Sequence, residues 1–356
     1  MIAKIAKSRI EIYADLESVV KKFTLETLRR IGKLAVPLLL SGAAPIGMQS
    51  LWAADFVVGV GTHLTGGSRP LGKSLDMLSA AGVTSFRDDA TWSSIEKSKG
   101  IYSVPARMDQ LVDEALKRKI SPLLILAYGN RFYDDGGKPL TDESILAFTK
   151  YAEFVVRHFK GRVSRYEIWN EWEHTTGKTA KGSPEAYVRL ARKVYPAIKK
   201  IDPQAEVLVG AVGTVGIKQG YLERIIRLGI LEHGDMLTLH PYMHCERFSG
   251  PESWARWMRS VGEQLENWGG KPVSVYLTEM GWPSHQGRCG VSEETQAEYL
   301  RKIYKHAREL PFIKGIWWYD LQNDGNDPAD QEHNFGLVRG DFTEKPAYKA
   351  LREMAK

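Results

Sequence analysis

Eight short apolar runs recur between Phe56 and Asp324, each separated from the next by a longer stretch of mixed polarity. The runs are FVVGVGTH, SFRDDATW, PLLILAYGN, RYEIWNEW, EVLVGAVG, MLTLHPYM, VSVYLTEMGW and GIWWYDLQND. Intervening segments such as ARMDQLVDEALKRK, TDESILAFTKYAEFVVRHFK, SPEAYVRLARKVYPAIKKI and SEETQAEYLRKIYKHAREL carry apolar residues at helical spacing. Thr141 or Asp142, and Ser183 followed by Pro184, supply helix-start signals. Strands that are nearly all apolar and alternate with helices imply a parallel sheet covered by those helices. Eight such units in about 300 residues match a (β/α)8 TIM barrel, so the expected architecture is α/β, a single domain over residues 55–356. An open doubly wound sheet is the competing arrangement. Against it, the third glycine of a phosphate-cradling G-x-G-x-x-G in GVGTHLTGG falls on Leu64.

Residues 1–54 differ in character. They hold +4 of the chain's total of +6, leaving a body of only +2. So nearly neutral a body gives no electrostatic reason to expect nucleic acid. The basic run LRRIGK, the apolar stretch LAVPLLLSGAAPIG and the small residues of LWAAD follow the order of an export signal. The apolar stretch is short for a full span, which needs about 20 residues. The expectation is an export signal or membrane-proximal leader over 1–54, with the body periplasmic or extracellular, and tethered to the membrane if the leader is retained.

In a barrel of this class the active site forms where the strands end and their following loops begin. Polar residues collect there: Arg87 to Asp89, Tyr128, Asn130, Asn170, Glu171, His240, Tyr242, Glu279 and Asp320. Inside a core such groups would cost several kcal/mol each if unpaired. Glu171 and Glu279 end strands four and seven, on opposite sides of a barrel mouth. Two facing carboxyls suit glycosidic bond cleavage, one giving a proton to the leaving oxygen and the other attacking or activating water. Trp169, Trp172, Trp282, Trp317 and Trp318 offer flat faces on which sugar rings stack. Glu167 shares the strand parity of Glu171 but lies deeper, as an ion-pair partner. Glu173 and His174 fall in the next loop, reading equally as substrate contacts or solvated residues.

These motifs have a family likeness. YEIWNEWE and VYLTEMGWPS resemble the acid/base and nucleophile motifs of the clan of retaining (β/α)8 glycoside hydrolases. The tail GIWWYDLQNDGNDPADQEHNFGLVRGDFTEKPAYKAL is similar to the close of glycoside hydrolase family 39, especially PslG-type enzymes, which cut biofilm exopolysaccharides. TEMGWPS is similar to plant-type β-1,3-glucanases as well. The resemblance implies Glu171 as acid/base and Glu279 as nucleophile. It further implies that Asn170 holds the substituent at sugar C2, Tyr242 bonds the nucleophile, Arg87 keeps it ionised, and Trp318 forms the platform under the sugar. The expected activity is that of a retaining β-glycosidase acting within an extracellular polysaccharide. A carbohydrate-binding barrel without catalysis, or a tethered component of polysaccharide export, are the alternatives.

Other residues complete the reading. Tyr128, His240, Trp172 and Trp282 are expected around the sugar, and His63 either lines the site or sits as a core histidine. No cofactor is expected. Nor is a metal, since Pro241 between His240 and His244 spoils a helical ligand pair and no third ligand is evident. Cys245 and Cys289 follow strands six and seven, where adjacent loops can bring them together in a disulfide. The partner expected is a polysaccharide or oligosaccharide, and the chain is expected to act as a monomer.

Overall fold

The computed structural model describes residues 56–175, 180–247 and 249–355. The expected leader over 1–54 lies outside them. Eight parallel strands close into a barrel in sequence order, β1 (Val57–Gly61), β2 (Ser85–Thr91), β3 (Ser121–Ala127), β4 (Arg165–Ile168), β5 (Glu206–Gly213), β6 (Met236–His240), β7 (Val275–Met280) and β8 (Ile313–Trp318). Closure is made by β1 against β8, with Val57 opposite Gly315 and Val60 opposite Trp318. An open doubly wound sheet is thereby excluded. Each strand is followed by a helix on the outside: α1 (Leu71–Ala80), α2 (Ala106–Lys117), α3 (Asp142–Phe159), α4 (Pro184–Ile201), α5 (Tyr221–Arg227), α6 (Pro251–Gly269), α7 (Glu293–Arg308) and α8 (Pro346–Met354).

Local chemistry explains where the helices begin. Thr141 caps α3 by accepting from the Ser144 amide, while the Ser144 hydroxyl accepts from the Thr141 amide in return. Ser183 and Ser292 cap α4 and α7, and Pro184 takes the first helical position of α4, where its missing N–H costs nothing. Each helix buries one stripe; in α4 it is Tyr187, Val188, Leu190, Ala191, Val194 and Ile198. Among the described residues no helix is long and apolar enough to cross a membrane.

Two departures from regular strands matter for the mouth of the barrel. β4 stops at Ile168, four residues short of the apolar run that announces it, because Trp169 (φ 66°) and Glu171 (φ 44°) adopt left-handed conformations. In β5 the register against β6 slips between Val209 and Val212, with Gly210 (φ 119°) and Ala211 (φ 46°) forming the bulge. At the same end of the barrel a disulfide joins Cys245, after β6, to Cys289, after β7. It closes a loop with a sequence separation of 44 residues. Loop-closure entropy assigns such a bridge about 4 kcal/mol. Replacing both cysteines by serine is expected to lower the free energy of unfolding in denaturant titration by up to that amount; an unchanged midpoint would contradict it.

Candidate active site

The strand ends surround a cleft of about 510 Å³ lined by, among others, His63, Arg87, Asp89, Tyr128, Asn170, Glu171, Tyr242, Glu279 and Tyr319. Arg87, an inward residue of β2, is 4% exposed, and its guanidinium organises the floor. Nε donates to Glu167 Oε2 at 2.8 Å, Nη1 to Glu279 Oε1 at 2.6 Å and Nη2 to Asn170 Oδ1 at 2.8 Å. Glu167 is fully buried, so Arg87 is the ion-pair partner that its position in the strand called for. A second chain of bonds runs beside the first. The Thr278 hydroxyl donates to Glu167 Oε1 (2.8 Å), which leaves its oxygen to accept from His240 Nε2 (3.1 Å). His240 Nδ1 then meets Glu171 Oε1 at 3.1 Å. His240 is completely buried and supports the pair from beneath.

One carboxylate oxygen of Glu171, one of Glu279 and one ring nitrogen of His240 all lie within 4.8 Å of one another. The two acids face each other across the floor, in unlike surroundings. Burial alone would push the Glu279 carboxyl up, but the charges of His240 and Arg87, with hydrogen bonds from Arg87 and the Tyr242 hydroxyl (3.0 Å), hold it below the usual carboxylate range. His240 is raised: its burial works against the charged form, and the Glu279 carboxylate and the bond to Glu171 outweigh that. Glu171 bonds to no guanidinium and is the more exposed of the two, 27% against 14%. The spacing of Glu171, His240 and Glu279 would also admit an ion, as would that of His63, Asp320 and Asp324. Arg87 sits on the first group and Arg69 on the second (2.5 Å to Asp324), so protein cations already balance both.

Glu173 is not a solvated loop residue. It is buried, and its Oε1 accepts from the Gly213 amide at 2.6 Å, across the bulge of β5. Burial, aided by the neighbouring charge of Glu171, pushes its carboxyl up to about 7. A β-carbon on Gly213 would stand 2.9 Å from His174 Nε2 and 3.2 Å from Glu171 Oε1, so only glycine leaves the acid this room.

The structure brings Arg87, Asn170, Glu171, Tyr242, Glu279, Tyr128 and His63 to one cleft. It places the tryptophans elsewhere. Trp318 points outward, stacked at 6.5 Å on Tyr304 of α7. Its neighbour Trp317 points inward at the barrel floor, donating from Nε1 to Ser85 Oγ at 3.1 Å. Strand alternation therefore gives the mouth to Tyr319, which lines the cleft in the place expected of Trp318. Trp172 is buried against Tyr187, its Nε1 donating to the carbonyl of Ser183, the residue that caps α4. Trp282 is buried edge-on against Tyr299 of α7. Trp169, turned by its left-handed backbone, packs on Phe148 and Trp172. The aromatic walls are Tyr128, Tyr242, Tyr319 and Phe335.

No protein-family model matches the chain. Over 82 residues it is 33% identical to a basic vacuolar glucan endo-1,3-beta-glucosidase of Nicotiana tabacum, which is 22% of each chain. It is 32% identical over 82 residues to a basic glucan endo-1,3-beta-glucosidase of Solanum tuberosum, 22% of this chain and 24% of that protein. The chain thus matches no more than a quarter of the length of these relatives. Among solved structures, a family 39 glycoside hydrolase from Bacteroides cellulosilyticus WH2 superimposes with a TM-score of 0.71 at 29% identity, over 84% of this chain and 63% of that one. The chain shares its fold with glycoside hydrolases. A monomeric beta-xylosidase from Caulobacter crescentus CB15 also superimposes (TM-score 0.64, 18% identity, 83% of this chain and 67% of that one), and at that identity speaks for the fold alone.

Glu279 has to be ionised to act as a base or nucleophile. Hydrolysis that depends on the Glu279 carboxylate is therefore expected to be lost only as pH falls below the usual carboxylate range. Tyr242→Phe removes one bond to the carboxylate and keeps the ring, so the acidic limb of the kcat/KM profile is expected to move to higher pH. A limb that stays in place would show that Tyr242 does not hold the charge.

Proposed function

We propose that this chain is a retaining β-glycoside hydrolase acting within an extracellular polysaccharide. The observation that carries the proposal is the close approach of two carboxyls in unlike surroundings, their nearest oxygens within 4.8 Å. A carboxyl separation of about 5 to 5.5 Å belongs to retaining enzymes, and wider gaps leave room for the water of an inverting one. Glu279, kept ionised by Arg87 and Tyr242, attacks the anomeric carbon. Glu171, at the more open side, protonates the departing oxygen. The covalent glycosyl-enzyme is then cleaved by water, from which Glu171 takes back a proton. Asn170 Oδ1 is occupied by Arg87, which turns the amide NH2 toward the substituent at sugar C2. Bonds of that kind strengthen as charge develops at C1 and so contribute to the transition state.

Action within a chain is supported by a second hollow beside the cleft: Tyr128 lines both, and Trp169, Lys138 and Gly182 help line the second. The resemblance of the tail to enzymes that cut biofilm exopolysaccharide points to the same substrate class, and the partial match to glucan endo-1,3-beta-glucosidases favours a β-glucan. The proposal includes export by the leader, with tethering where the leader is retained, and action as a monomer; amino-terminal sequencing of the mature protein showing residues 1–54 kept in a cytoplasmic fraction would refute the export. Glu171→Gln and Glu279→Gln are each expected to lower turnover by about a thousandfold or more while leaving the melting temperature nearly unchanged. Proton NMR of the first product formed by the native chain is expected to show the β-anomer. Near-native turnover in either variant, or an α-anomer as first product, would reject the mechanism.

A further inference from the structure

Asp89 is left over when the cleft's hydrogen bonds are assigned. It is the next inward residue of β2 after Arg87, and it lines the cleft. Its neighbours there are committed. Arg87 is shared among three acceptors, Glu279 receives Arg87 and Tyr242, and Asp88 accepts from Thr62, Leu64 and Thr65. Asp89 Oδ1 is buried with no hydrogen-bond partner. The other carboxylate oxygen, Oδ2, accepts no hydrogen bond within the described residues either and is not sealed off, so it is the oxygen that a donor bound in the cleft can reach.

The charge of the lining narrows what that donor can be. The cleft presents the carboxyls of Asp88, Asp89, Glu171, Glu279 and Glu332 against one guanidinium, Arg87, which is fully engaged. His63, raised to about 9 by Asp324 and Asp320 against the effect of its own burial, is held by Asp324. Burial brings His244 down to about 4, so it is uncharged at neutrality. A carboxylate on the ligand would find repulsion on the floor and no open guanidinium to receive it. A hydroxyl would find an acceptor.

We propose that Asp89 is a specificity-determining residue that accepts from hydroxyls of a neutral sugar unit at the floor of the cleft and thereby excludes uronate units from it. The assignment rests on the glycosidase reading for the identity of the ligand class, and on the geometry of β2 for the residue. A site built around a hydroxyl rejects ligands that cannot supply one, because its acceptor is then left bare.

The test uses calorimetric titration of the full chain carrying Glu171→Gln, which prevents turnover and leaves the Arg87 network in place. Neutral tetra- to hexasaccharides of β-linked glucose and mannose are compared with β-1,4-linked oligoglucuronate and oligomannuronate of the same lengths. The neutral chains are expected to bind at least ~10-fold more tightly, and adding Asp89→Asn, with its melting temperature checked, is expected to weaken neutral binding ~10-fold and to narrow the gap between the two classes. Uronates bound as well as neutral chains, no binding of either class, or neutral binding indifferent to Asp89→Asn would each overturn the assignment. Hydrolysis by the native chain is assayed in parallel: binding as expected without hydrolysis rejects the catalytic reading and leaves Asp89 standing, whereas hydrolysis without the Asp89 dependence does the reverse.

Discussion

Arg87 donates to Glu167, Asn170 and Glu279 from one planar fork, and so fixes β2, β4 and β7 against one another where the barrel opens. Guanidinium geometry makes this a directional constraint as well as a charge balance. The carboxyl of Glu167 is fully buried and would be stranded without it; removing one partner of a buried pair typically costs about 3–5 kcal/mol. One side chain thus carries two tasks. It makes the interior of the barrel electrically tolerable, and it sets the position and ionisation of Glu279. Asn170 is held by the same fork, so Asn170 and Glu279 are positioned together.

The opposite carboxyl depends on backbone shape. Glu171 reaches the cleft because β4 breaks off at Ile168 and two left-handed residues re-aim the chain. The bulge in β5 brings the Gly213 amide against Glu173, and the bare α-carbon of Gly213 leaves space for Glu171. The two acids share His240, at 3.1 Å from Glu171 and 3.6 Å from Glu279, but only Glu279 also receives a guanidinium and a tyrosine hydroxyl, whereas Glu171 is aimed by backbone shape. That difference is what a double displacement asks of them, since one must stay charged while the other exchanges a proton.

Much of this was legible in the amino-acid order. Eight apolar runs separated by amphipathic segments led to the closed barrel, and the positions of Glu171 and Glu279 at the ends of their runs led to one rim. The aromatic lining was not legible, for two local reasons. RYEIWNEW reads as a continuous strand, and nothing in its composition announces the left-handed turn at Trp169 that sends Trp169 and Trp172 into the packing outside the cleft. In GIWWYD the two tryptophans attract attention, whereas alternation from the inward Trp317 selects Tyr319 and sends Trp318 to α7. The burial of Glu173 depends on the β5 bulge, a tertiary feature without a local signal of its own. Asp89 was within reach by parity with Arg87, but its unfilled oxygen emerges only from the completed hydrogen-bond network.

A double displacement requires Glu279 to form a bond to the anomeric carbon. A 2-deoxy-2-fluoro β-glycoside with a dinitrophenolate leaving group slows release of the glycosyl-enzyme and lets it accumulate for peptide mass spectrometry. One sugar per chain is expected, located on the peptide containing Glu279 and absent from Glu279→Gln. An unlabelled chain that nonetheless hydrolyses the parent glycoside, or a label on any other residue, would contradict the double displacement.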